Sequence, residues 1–327
     1  MADVPQTLDF SYGDTNYTIR LYQQAGLRYQ LVPEDGSAVT IDQEVIDAAQ
    51  NVLDQNAPDG MSLTLHQVSG ANADDTITFW QDGGVFAKGG HDEVDAQATS
   101  GTGQIHTYAG AGDDTTILRF QVIPAGEDHA HGHHARGDDD GSRVRGNDTF
   151  DFRDLDNVRG VVVGRIEDFE ATRDTIMIDG QSIDLAGGFS SGRIGGYDVR
   201  VVAYNGDHND PSAQGDMQQW LLIETDEGGK IFYALEGARV DMDGNGGGSG
   251  RQESHFLKWN LPGTDGNPGW DDLTTVSFVD PVNYVPAGHT PDGGDIINDA
   301  DSDAAAVHEI VNGTPSGDLI AAGLNDD

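Results

Sequence analysis

The stretch Arg145-Gly146-Asn147-Asp148-Thr149-Phe150-Asp151-Phe152 decides how this chain folds, together with Gly164-Arg165-Ile166-Glu167-Asp168-Phe169 and Asp174-Thr175-Ile176-Met177-Ile178-Asp179. It reads as a Gly-Asn-Asp turn opening a strand, then a second strand, an acidic turn, and a third strand closed by an aspartate. Glycine lets the backbone turn tightly, and the Asn and Asp after it place oxygens inside the turn. Oxygen-lined turns are what a hard cation such as calcium requires, so the segment predicts a calcium-dependent β structure. Nothing in it supplies a nucleophile or a proton-transfer pair.

Related turns precede it: Ala73-Asp74-Asp75-Thr76-Ile77, Gly90-His91-Asp92-Glu93-Val94 and Gly112-Asp113-Asp114-Thr115-Thr116. Their last aspartates, Asp75, Asp92, Asp114 and Asp148, lie 17, 22 and 34 residues apart. Two strand-turn units of about nine residues make a coil of about 18, so these gaps read as one coil each. The third carries an insertion over residues 124–141 that contains the His-rich tract.

Composition narrows the function. Lys and Arg total 17 against 57 Asp and Glu, a net charge of −40. Such a polyanion repels nucleic acid and anionic lipid. Bound cations would relieve its self-repulsion. The 45 glycines and 36% hydrophobic residues suit a turn-rich β protein. Having no cysteine, the chain has neither disulfides nor thiolate chemistry. No apolar run is long enough for a membrane span, and Met1–Phe10 lacks the pattern of a Sec-type signal peptide.

The acidic turns resemble the Gly-Gly-x-Gly-x-Asp-x-apolar-x nonapeptides of RTX (hemolysin-type calcium-binding) proteins, which leave the cell by type I secretion. Residues 146–179 also resemble the segment after the roll in serralysin-type C-terminal domains. The resemblance implies that Asp75, Asp92, Asp114 and Asp148 are calcium ligands between stacked coils, with Asn147 and Asp174 beside them. It implies that Ile77, Val94 and Phe150 face inward. Only the turn at 110–114 keeps two of the family's glycines with an Asp, and the intervening turns, such as Gly83-Gly84, lack the aspartate. The expected roll is therefore degenerate, with one acidic edge.

Elsewhere, residues 1–67 read as a small α+β unit. Strands are expected at Leu8–Tyr12, Tyr17–Tyr22 and Leu27–Val32, and a helix over 41–56 with Thr40 and Gln43 spaced as a capping box. Residues 181–280 read as a β-rich, sandwich-like continuation, and 281–327 as a flexible tail with room for a type I export signal. Asp241, Asp243 and Asn245 have the Asp-x-Asp-x-Asn-Gly opening of a calcium loop, although Gln252 stands where an EF-hand places its closing Glu. His129, His131, His133 and His134 suit a transition metal, against the plainer reading of a polar insertion. The four tryptophans read as core residues, and Trp270 beside Asp271-Asp272 is the one place to look for carbohydrate.

The expected fold is thus mainly β: a degenerate calcium-binding parallel β-roll continuing into a β-sandwich-like region, with a small N-terminal α+β unit. The expected function is a secreted, non-enzymatic calcium-binding protein that folds on calcium outside the cell. Its partners would be calcium ions, the type I secretion machinery, and either further copies of itself or an extracellular glycan. A polysaccharide-acting enzyme on the same scaffold, or a surface or matrix component, are the alternatives. No protease, esterase or nucleotide-binding motif is present.

Overall fold

The computed structural model describes residues 4–34, 36–98, 105–125, 130–138, 146–166, 169–204, 218–235, 261–263 and 268–279. The chain is mainly β and divides into two compact units. The first comprises residues up to Val122, His131–Leu155 and Arg173–Gly180, and the second the remainder.

The first unit opens with a meander. Strands β1 (Thr7–Tyr12), β2 (Thr15–Gln23) and β3 (Arg28–Pro33) pair antiparallel in turn. The short β4 (Thr40–Ile41) leads into α1 (Gln43–Asn56). The helix begins later than the sequence suggests. Its cap is Asp42, whose carboxylate accepts the Val45 N–H at 3.0 Å, while Thr40, the expected cap, lies in β4. Val45, Ile46, Ala49 and Leu53 are buried at the spacing of one helical face. They share a core with Ile77, Val85, Val94 and Ile105, so residues 4–67 pack onto the coils that follow.

Beyond the helix, strands alternate between two parallel sheets. One sheet continues from β3 through β5 (Thr64–Ser69), β7 (Gly83–Phe86), β9 (Ile105–Tyr108) and β11 (Ala130–Arg136). The other runs from β4 through β6 (Thr76–Phe79), β8 (Glu93–Ala98), β10 (Thr115–Phe120), β12 (Thr149–Arg153) and β14 (Thr175–Ile178). Side chains alternate across each strand. Ile77, Val94, Leu118, Phe150 and Ile176 are fully buried, and Thr116, in register with Val94 and Phe150, is buried at an apolar position.

Two expectations change here. Gly83 and Gly84 begin a strand and do not form a turn. The His-rich tract is likewise β11, in register with β9, and every residue of that strand is buried. The tract is therefore not carried in a loop: residues 130–136 are part of the sheet.

In the second unit, β13 (Val161–Ile166) pairs parallel with β19 (Lys230–Ala234). The order then runs antiparallel through β18 (Gln218–Glu224), β17 (Tyr197–Tyr204) and β16 (Ser191–Ile194). A short β20 (Thr274–Thr275) also pairs with β17. Among the described residues, the strands of the expected sandwich-like continuation lie in one sheet, apart from the brief β15 (Gln181–Ser182). An apolar cluster of Val163, Val202, Trp220, Leu222, Phe232 and Leu273 packs against it.

The stacked turns leave no room at one position. Gly112 has φ +148°, and a Cβ there would lie 1.5 Å from the Gly90 carbonyl oxygen. Gly146 stands against Gly112 in the same way, with 1.8 Å available. Gly112→Ala should lower stability by about 3 kcal/mol, combining backbone strain and overpacking. Gly60→Ala, at φ +79° with no neighbour within 4 Å, should lose only about 1 kcal/mol. Denaturant melts of the two variants test this, and equal losses would refute the steric account.

Candidate functional site

The acidic turns come together in the first unit as a ladder. Each rung is a backbone N–H of one aspartate donated to the carboxylate of the aspartate one coil later. Asp75 N–H meets Asp92 Oδ1 at 2.7 Å, and Asp92 N–H meets Asp114 Oδ1 at 2.7 Å. Asp114 N–H meets Asp148 Oδ1 at 2.9 Å, and Asp148 N–H meets Asp174 Oδ1 at 3.0 Å. Asp75, Asp92, Asp114 and Asp148 are all buried. The strands fix this spacing: in register, Thr76, Glu93, Thr115, Thr149 and Thr175 follow the five aspartates.

A second file, one residue earlier, runs the opposite way. His91 N–H donates to Asp74 Oδ1 at 2.9 Å, and Asp113 N–H to His91 Nδ1 at 3.1 Å. Asn147 then donates both its N–H and its side-chain amide to Asp113 Oδ1, each at 2.9 Å. These donors hold the Asp113 carboxyl below the usual carboxylate range. The outer file is exposed and the inner one buried, so the turns are clamped in both directions.

The inner rungs are unequal. Asp75 has both oxygens satisfied, Oδ1 by Val39 N–H at 2.7 Å and Oδ2 by Ala71 N–H at 2.5 Å. The amide equivalent to Ala71 in the Asp92 coil is Lys88, whose backbone turns to φ +83°. In the Asp114 coil it is Gly110, which donates instead to Gly137 O at 2.8 Å. As a result Asp92 Oδ2 and Asp114 Oδ2 are buried and accept no hydrogen bond. A buried, unsatisfied charged oxygen costs at least about 1–3 kcal/mol.

Burial sets the protonation of this file. It pushes Asp92 up to about 7, reinforced by the neighbouring Asp114 and Asp75 carboxylates and opposed by the rung from Asp75 N–H. It pushes Asp114 up to about 6, with Asp138 and Asp113 adding to the rise and His91 opposing it. Asp174 is pushed up to about 8, again by burial first, with Asp148 and Asp138 adding. Asp75 is also raised by burial, against the pull of its two amide donors and Lys88.

The expected histidine site is divided by its own strand. His133 points between the sheets, edge-on to Phe120 at 5.4 Å, with its Nε2 3.0 Å from Ala96 O. Burial pushes it down to about 4, so the ring is neutral and donates Nε2–H to that carbonyl. His131 has the same strand parity as His133. His134 packs edge-on against His106 on the other side, at 4.7 Å. His129, Asp241, Asp243 and Asn245 lie outside the described residues. Among the described residues, no three His, Asp or Glu side chains converge as a ready metal cage. The ladder carboxylates stand in file, so an ion between coils would complete its shell with backbone oxygens or water.

Sequence reasoning missed the outer file. Its signal was present: each of the first four ladder aspartates is preceded by another hydrogen-bond acceptor, as Asp74, His91, Asp113 or Asn147. No family model, curated protein or solved structure matches this chain.

The raised carboxyls give the metal-free protein an unusual pH dependence. The folded pKa values lie above the unfolded ones, near 3.9, so the folded state holds protons the unfolded state has released. That stabilisation is complete below the unfolded value and is lost as pH rises through the folded values of about 6 to 8. In chelator, the melting temperature should fall as pH is raised from 5 to 8. A rise across that interval would show that burial does not govern the ladder.

Proposed function

We propose that the chain is a secreted, non-enzymatic calcium-binding protein of the RTX type, whose two parallel sheets are a β-roll that folds as calcium fills the acidic ladder. The observation that carries this reading is the pair of buried oxygens, Asp92 Oδ2 and Asp114 Oδ2, that the protein leaves without donors. They stand on adjacent coils, in a file of like charge, within a chain of net charge −40. Lys88 partly compensates Asp75, while the charges pressing on Asp92 are the carboxylates of Asp114, Asp75 and Asp74. The donors are all oxygens and the backbone around them is irregular, which suits calcium better than the octahedral demand of magnesium.

Ion binding would then drive folding. In low calcium the carboxylates repel, and the chain is kept expanded for type I export. Outside the cell, an ion that binds only the native state stabilises it by RT ln(1 + [L]/Kd). With a Kd of about 10⁻⁴ M, within the range of extracellular modules, 5 mM calcium adds about 2 kcal/mol per site.

The test compares the full chain in chelator and in 5 mM calcium by circular dichroism, melting and titration calorimetry. Calcium should raise the melting temperature at pH 7.5, and by less at pH 5, where protons compete for the ligands. Asp92→Asn with Asp114→Asn keeps an acceptor for each rung and removes two buried charges. That variant should melt higher than the parent in chelator and lose most of the calcium response. An unchanged spectrum and melting temperature on adding calcium would sink the proposal.

A further inference from the structure

Of the described tryptophans, Trp80 departs most from the expectation that they serve the core. It follows β6 on the outer side of its sheet, and 41% of its surface is exposed. The indole is nevertheless held in place. Its Nε1–H donates to Asp95 Oδ1 at 3.1 Å. Asp95 is gripped by Arg119, whose Nε lies 2.8 Å from both carboxylate oxygens. Arg119 in turn reaches Asp154 at 2.9 Å. Strand pairing sets Gln97 beside Arg119 on the same outer surface.

Exposing an indole face costs free energy, since Trp brings the largest apolar payload of any side chain. Here the ring's one polar atom is already committed to Asp95, which fixes the orientation while 41% of the residue's surface stays exposed. Ordering it on binding therefore loses little entropy. Trp270, the tryptophan singled out for carbohydrate in the sequence, is placed differently. Its ring meets Phe232 edge-on at 5.3 Å, and Lys230 Nζ stands over it at 5.8 Å.

We infer that Trp80 is the stacking platform of a binding site for a neutral polysaccharide, flanked by Gln97, Arg119 and Asp95. The apolar C–H face of a pyranose matches the electron-rich indole face. The surrounding amide, guanidinium and carboxylate groups can exchange hydrogen bonds with ring hydroxyls. Charge selects within the class: a chain of net charge −40 repels anionic glycans. A protein partner fits less well, because the surroundings of Trp80 are charged, and interface centres are depleted in charged residues.

The test is native affinity electrophoresis of the full chain in calcium-containing gels cast with laminarin, glucomannan, hydroxyethylcellulose or dextran, and with alginate as the anionic arm. At least one neutral polymer should retard the protein, with alginate without effect. Trp80→Ala should weaken the apparent affinity at least tenfold with an unchanged circular dichroism spectrum. Trp80→Tyr, which keeps an aromatic face, should retain measurable retardation. If Trp80→Ala fails to fold, tryptophan fluorescence of the parent titrated with the retarding polymer gives the answer, a saturable change supporting the site. Absence of retardation in every neutral gel, undiminished retardation of a folded Trp80→Ala, or retardation by alginate alone would each overturn the inference. So would a light-scattering dimer that Trp80→Ala dissolves, since that would make the partner a second copy.

Discussion

One hydrogen bond, repeated, organises the first unit: an aspartate's N–H donated to the carboxylate of the aspartate one coil further along. Parallel strands fix the rise per coil at about 4.8 Å, and a carboxylate can reach a neighbouring amide only at that spacing. The rung therefore demands that each turn lie directly over the last. Directly stacked turns leave no space for a side chain where Gly112 and Gly146 approach the carbonyl of the preceding coil. Asp and Gly recur together because the same stacking requires both. The rung survives variable coil length, since gaps of 17, 22 and 34 residues all yield one file.

The rung has an electrostatic consequence. Charge-assisted hydrogen bonds are worth more than neutral ones, yet here each is made by a buried anion beside another buried anion. Coulomb repulsion between neighbours and the loss of hydration both act against ionisation, and together they outweigh one amide donor per oxygen. The file can escape by holding protons, by gaining cations, or by finding more donors. Asp75 takes the last course with two amides. At Asp92 and Asp114 the equivalent amides are turned away or committed elsewhere, and that local difference makes the middle of the ladder its electrostatic weak point.

Much of this was legible in the sequence, because the ladder aspartates and the inward-facing apolar residues come from one short repeat. Ile77, Val94 and Phe150 are buried as the pattern demands. What escaped was set by neighbours along the sheet, which no local window contains. The His-rich tract looks polar, but alternation puts His133 between the sheets, where a carbonyl and an aromatic ring accommodate a neutral imidazole. The same tract, read as one cluster, hides that His133 and His134 face opposite ways. Gly83 and Gly84 resemble a turn, yet a Cβ at Gly83 would lie 1.8 Å from His66 O, so close strand approach is what calls for glycine there. The unequal rungs were invisible for the same reason: Asp92 and Asp75 differ in what the amide four residues upstream is doing.

The start of the ladder shows why the N-terminal segment belongs to the same structure as the repeats. A stack of coils exposes its core and its unpaired strand edge at each end, so repeat architectures need a cap. Here α1 covers the end of the core with Val45, Ile46, Ala49 and Leu53, while the β1–β2–β3 meander extends one sheet antiparallel. The cap also supplies what the first rung lacks. Where later rungs use an aspartate N–H, Asp75 Oδ1 accepts from Val39, just before β4. β4 then pairs in register with β6 as if it were a preceding coil. Ala73 stands where later coils have Gly90, Gly112 and Gly146, at the rung where the cap begins and the glycine file ends. The cap thus imitates one turn of the ladder in hydrogen bonding while departing from it in sequence, so the acidic repeat itself starts only at residue 73.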